Sequence, residues 1–171
     1  MNHSSESMPV AWLSRVAQSH AQQGRHPGAV FEALNEAAAA VLGHRLFTVL
    51  RFDRHARQAQ RVYTSQPDAY PLNGSKPIAD SPWVAQVLER GEPYIARDAD
   101  DIRATFADHA QILSLGCASA LNLPVCWQGE TLGTLNLLHQ EGWYRPAHLA
   151  FGLVLAQLAL PALRAPARAC F

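Results

Sequence analysis

The stretch Ala118 to His139 reads as two strands joined by a tight turn at Gln128-Gly129-Glu130, with Pro124 and Trp127 marking the end of the first. Strand side chains alternate faces, so parity sorts them. Leu121, Leu123 and Val125 share one face of the first strand, and Ala120, Asn122, Pro124 and Cys126 share the other. On the second strand Leu135 and Leu137 lie on one face, with Thr134, Asn136 and Leu138 opposite. One face of this hairpin is apolar and requires helices over it. The other carries two amides, Asn122 and Asn136. On a covered face an amide must be hydrogen-bonded or cost roughly 1–3 kcal/mol. Either the fold supplies those partners, or a ligand does.

The rest of the chain supplies the cover. Residues 1–8 read as a disordered lead. Val10, Leu13, Val16 and Ala17 recur at helical spacing from Pro9 to about Gln23, where Gly24 and Pro27 intervene. A second helix is predicted from about Gly28 to Leu42, with Gly43 as its C-terminal cap. Leu46–Asp53 and Ala59–Ser65 read as a second hairpin, and Gln66–Pro77, with three prolines, as a loop anchored by Tyr70. Ser81, Pro82 and Gly91 punctuate a third helix, and Glu92–Ala96 is a short extended piece. Asp98, Asp100 and Asp101 cap a fourth helix that ends near Leu115-Gly116. A last helix runs from about Ala147 to Leu160, stopped by Pro161, and 164–171 is a tail without pattern. This order predicts an α+β fold with a central antiparallel sheet, terminal helices on one face, and middle helices with loops over the other.

Composition narrows the classes. The 171 residues, 49% hydrophobic and 16% charged, fit one globular domain. Fourteen basic side chains balance fourteen acidic ones, so no electrostatic footprint for nucleic acid is present. The first residues are polar with no apolar run behind them, and the longest apolar run, Leu149–Leu160, contains Gln157 and is too short to span a bilayer. A cytoplasmic protein without membrane or nucleic-acid partners is the expectation. Cys117, Cys126 and Cys170 sit at spacings that suggest neither a disulfide framework nor a zinc site.

The succession of elements resembles a GAF domain, the small-molecule sensing module related to PAS domains. Leu121-Asn-Leu-Pro-Val125, then Gly129, then Leu132-Gly-Thr-Leu-Asn-Leu137 is similar to that family's aliphatic–Pro strand, turn glycine and Gly–x–Leu–x–Leu strand. Trp143-Tyr144 matches the usual entry to its last helix. The resemblance spans about Pro9 to Leu163. It implies a ligand pocket under the middle helices, with Ala120, Asn122, Thr134, Asn136 and Leu138 on the pocket side of the last hairpin. It also implies pairing of subunits through the first and last helices. Leu149, Phe151, Leu153, Val154, Leu155, Leu158 and Leu160 wrap more than one stripe of the last helix, which agrees with a homodimer. No kinase, cyclase or DNA-binding segment is seen, so output is expected through another chain.

The candidate ligand-binding residues are Arg61, Tyr63, Trp83, Phe106, His109, Asn122, Thr134 and Asn136. Arg61, Tyr63 and Ser65 share a parity; Arg61 binds an anionic ligand or reaches solvent, and Tyr63 serves recognition or packing. Trp83, Tyr94 and Phe106 roof the pocket or fill core. His109, Cys117, Cys126 and His139 invite a metal reading, but parity points Cys126 and His139 apart, and no metal is expected. Free methionine sulfoxide reductases of this family need carboxylates on the pocket face of the last hairpin. Here those positions hold Ala120, Asn122, Asn136 and Leu138, and the cysteines do not match, so no catalysis is expected, with a thiol reductase as the lesser alternative. The signatures of cyclic-nucleotide and bilin-binding relatives are also missing. The expected function is binding of an unknown small organic ligand, the cofactor being undefined; the alternative is an interaction module whose pocket its own side chains fill.

Overall fold

In the computed structural model, which describes residues 7–72 and 75–165, the chain begins with α1 (Ser7–Ser19) and α2 (Gly28–Val41). The hairpin β1 (Leu46–Asp53) and β2 (Gln58–Thr64) follows, then a short β3 (Ser75–Pro77). A π-helix (Val84–Glu89), β4 (Tyr94–Ala96), α3 (Ala99–Thr105) and α4 (His109–Ser114) form the middle of the chain. The hairpin β5 (Ser119–Trp127) and β6 (Glu130–His139), a 3₁₀ turn at Pro146–His148, α5 (Leu149–Gln157) and α6 (Leu160–Arg164) complete it. The strands form one antiparallel sheet in the order β3-β2-β1-β6-β5-β4. This is the α+β layering that the pattern predicts.

The alternation on β5 and β6 sorts as expected. Leu121, Leu123, Val125, Leu135 and Leu137 join Phe47 and Val49 of β1 in the main core, with α2 and α5 packed over them. Gly152 permits the closest part of that contact, because a Cβ there would lie 2.9 Å from a Leu123 methyl carbon. Asn122 pairs with Asn136 across the strands, on the opposite face. The hairpin turns through Gln128 (φ 51°) and Gly129 (φ 81°), the two positive-φ positions of a tight two-residue turn. On the far side, Leu46, Ala120 and Leu138 of the sheet meet Ile102 of α3 and Ile112 of α4.

Local punctuation also holds. The Asp98 side chain accepts from the backbone N–H of Asp100 and Asp101 at the start of α3, and Ser81 Oγ accepts from Val84 N–H. Four boundaries differ from expectation. α1 starts at Ser7, inside the expected lead, because Pro9 occupies a first turn whose N–H groups need no helical partner. β3 lies within the expected loop, as an edge strand against β2. The single helix expected over 98–116 is two, separated at Phe106, whose backbone is extended. Pro161 does not end helical structure: it has no N–H to donate, so α5 closes at Gln157 and Pro161 sits in the first turn of α6. Residues 1–6 of the lead and 166–171 of the tail, with Cys170, lie outside the described residues. Among the described residues no helix is long and apolar enough to cross a membrane.

Candidate functional site

A cavity of about 270 Å³ lies between the sheet and the middle elements. Cross-strand register builds its floor, because residues paired across antiparallel strands point to the same face. One row runs Thr48–Asn136–Asn122 across β1, β6 and β5. The next contains Arg61 and Leu50 of β2 and β1. Ala59 and Leu138 extend the floor on either side of these rows, and Lys76 of β3 stands at its edge. Trp83, just before the π-helix, closes one part of the cavity. The α3–α4 junction, from Thr105 through Asp108, closes another, with Ile112 and Tyr70.

The two amides find their partners within the fold. Asn122 Nδ2–H donates to Asn136 Oδ1 at 2.8 Å, and the Trp83 indole N–H donates to Asn122 Oδ1 at 2.9 Å. Asn136 Nδ2–H donates in turn to Thr48 Oγ1 at 3.3 Å. This chain ties the roof to three strands. Both asparagines are nearly enclosed, at 2% and 5% exposure, so leaving either unpaired would carry the full desolvation cost. Each amide still has one N–H and one oxygen lone pair beyond these bonds.

A second polar group stands at the β2 side. The Arg61 guanidinium carbon lies 3.9 Å from the centre of the Tyr70 ring, and its Nη1–H donates to Pro71 O at 2.5 Å. Tyr70 O–H donates to the Asp108 carboxylate. Burial first, then that hydrogen bond and the Asp108 charge, push the Tyr70 phenol far above its ordinary value, with Arg61 opposing. The phenol therefore stays a donor at neutral pH, fastening the β2–β3 loop to the α3–α4 junction.

Of the expected site residues, Arg61, Trp83, Phe106, Asn122 and Asn136 line the cavity. Tyr63 does not. A bulge shifts the β1–β2 register so that Val49 opposes Tyr63 while Leu50 opposes Arg61, which puts Arg61 and Tyr63 on opposite faces despite their even spacing. Tyr63 packs against Phe31 and Phe47, and burial with the charges of Glu32 and Glu36 raises its pKa. His109 starts α4 and lies outside the lining; the break before that helix brings Asp108 to the cavity instead. Thr134 lies on the pocket-side face, between Leu50 and Pro124, but is fully buried outside the lining, its Oγ1 without a partner among the described residues. Tyr94, expected in the roof or the core, lies outside the lining, with its hydroxyl 2.7 Å from Thr105 Oγ1.

Sequence reasoning missed Thr48, Leu50, Lys76 and Asp108 as cavity residues. Tyr70 was legible as a loop anchor but not as the link between Arg61 and Asp108. β1 is apolar on both faces, so its alternation carried no signal.

Among the described residues no three His, Cys, Asp or Glu side chains come together as a metal site. Cys117 is buried and free, and burial raises its pKa, which favours the unreactive thiol. Cys126 lies against Gly91, its Sγ 3.7 Å from Thr131 Oγ1. The His139 ring stacks on Trp143 with centroids 3.8 Å apart.

A family model described as GAF domain matches residues 25–164. Among curated proteins none matches this chain. The fold is similar to the solved GAF domain of a phosphoenolpyruvate-protein phosphotransferase from Coxiella burnetii, at a TM-score of 0.71 and 20% identity over 92% of this chain and 94% of that one. A domain of a sensor histidine kinase from Sinorhizobium meliloti superposes at a TM-score of 0.63, with 20% identity over 82% of this chain and 94% of that chain. The chromophore-binding domain of a bacteriophytochrome from Stigmatella aurantiaca reaches 0.67, with 14% identity over 92% of this chain and 60% of that one.

Proposed function

Because the chain belongs to the GAF domain family, we propose that it is a sensory or regulatory domain that binds a small organic molecule between the sheet and the middle elements. The observation that carries this reading is the cavity itself. It is mostly apolar, and polar groups on five strands converge on it. Its volume of about 270 Å³ lies just below the roughly 300–1,000 Å³ of pockets for drug-sized ligands, so the occupant is a compact metabolite. The sensor kinase and bacteriophytochrome among the structural neighbours agree with a signalling role.

The domain acts as a homodimer through its first and last helices, and its output passes through another protein. In support, Met8 and Val10 of α1 and Leu153 and Val154 of α5 are exposed apolar side chains. Ligand binding would shift the balance between two packings of these helices. No catalytic role is assigned to the thiols, since Cys117 is enclosed and Cys126 is packed beside Gly91.

Native mass spectrometry of the protein, followed by a metabolite screen read by thermal shift, tests the reading. The expected result is a dimer with one small molecule per subunit and a raised melting temperature with that molecule. A dimer without any bound species, and a flat thermal screen, would favour the second reading, an interaction module needing no ligand. The mutual bonding of Asn122 and Asn136 is the observation on its side.

A further inference from the structure

We propose that the ligand is a small cyclic monocarboxylate, bound with its carboxylate at Arg61 and its ring on Leu50, against the Asn122–Asn136 pair. This rests on the binding reading above and names the chemical class of the occupant.

The charge comes first. Arg61 lines the cavity; among the described residues it forms no ion pair, its one hydrogen bond is to Pro71 O, and its Nε is enclosed without an acceptor. Asp108, the acidic residue in the cavity lining among the described residues, is engaged by the Tyr70 hydroxyl instead. A second cation, Lys76, stands at the same edge. Lys76 is exposed and its charge is screened by solvent, so Arg61 is the cation that one ligand carboxylate would neutralise. A planar guanidinium also suits a carboxylate geometrically, through paired N–H donors.

Shape comes next. Arg61 is on β2 and Asn136 on β6, with β1 between them and one side-chain row of offset, so the cation and the nearer amide are anchored on the order of 12 Å apart. Leu50 is paired with Arg61 and occupies the floor between these groups. Trp83 and Phe106 supply aromatic surface above. That is room for one ring, with a polar substituent able to use the remaining N–H or lone pair of an amide.

Matched acid and amide probes test the class on the full chain: indole-3-acetate with indole-3-acetamide, 4-hydroxybenzoate with 4-hydroxybenzamide, and cyclohexanecarboxylate with its carboxamide. Neutral indole serves as a further control, and binding is read by ligand-observed NMR and calorimetry. The expected result is that acids bind roughly tenfold to a hundredfold tighter than their amides, the worth of a charge-assisted hydrogen bond. Arg61→Gln should erase the preference in a protein that still folds, its melting temperature lowered by the lost Pro71 and Tyr70 contacts, and Arg61→Lys should keep part of the preference. Should Arg61→Gln fail to fold, the unaltered protein still decides, because added NaCl must weaken the acids and spare the amides. Equal affinity of acid and amide, or no salt effect on the acids, overturns the inference while leaving the pocket reading intact. Silence from every probe, neutral indole included, counts against both.

Discussion

The two faces of the sheet are cut from the same strands, and they solve the same problem differently. On the α2–α5 face, Leu121, Leu123, Val125, Leu135 and Leu137 are fully buried and pack against long helices. On the other, the cover is a π-helix of six residues and two helices of seven and six, and the floor carries a row of amides and hydroxyls. The longer helices, α2 of fourteen residues and α5 of nine, close their face by dispersion and area. Short interrupted elements leave a gap, and its floor is a polar row whose groups bond one another and the roof. Packing strength sits on one side of the sheet and chemical choice on the other.

The comparison can be broken from the packed side first. Leu135→Ala should destabilise the fold by about 2–5 kcal/mol in urea unfolding, through lost burial and a cavity. If the faces are separate in role, the variant that still folds should retain the acid-over-amide preference. The amide row comes next. Asn122→Ala and Asn136→Ala should each cost about 1–3 kcal/mol, since each strands a partner in a nearly dry site. The double variant should cost less than the sum, with a coupling of roughly 0.5–3 kcal/mol. Strict additivity would mean that the two amides do not support each other.

The smallest effect concerns pH, and it sharpens the contrast because it belongs to the packed face. His44 lies tilted against Phe47, with its Nε2 3.3 Å from Asn35 O, and burial lowers its pKa below the usual 6.5 despite that carbonyl. The folded state therefore holds the imidazole neutral where the unfolded chain would protonate it. Its contribution is complete above about pH 6.5 and is lost as pH falls through the lowered folded value. Melting temperature should decline on acidification across that window, and His44→Gln should make the decline shallower. An unchanged slope in that variant would assign the pH response to other groups.

Much of the fold was legible because its signals are local. The alternation of β5 and β6 follows from chain geometry, the Gln128-Gly129 turn from backbone conformation, and the caps at Ser81 and Asp98 from side chains bonding their own neighbours. Arg61 and Tyr63 show where that reach ends. Their spacing places them together on any regular strand, but the bulge exists only against β1, and it sends one to the cavity and the other to α2. Asp108 displaced His109 for a similar reason: the break at Phe106 resets the helical phase, and no residue announces it.

Alternation places two amides on a covered face but does not name their hydrogen-bond partners. Residue type and spacing alone put Asn122 and Asn136 on one covered face. Strand register made them neighbours, and the packing of the middle elements brought Trp83 to the first and left Thr48 for the second. Hydrogen bonds between residues 14 to 88 positions apart depend on how strands pair and what lies over them, which is a property of the assembled fold.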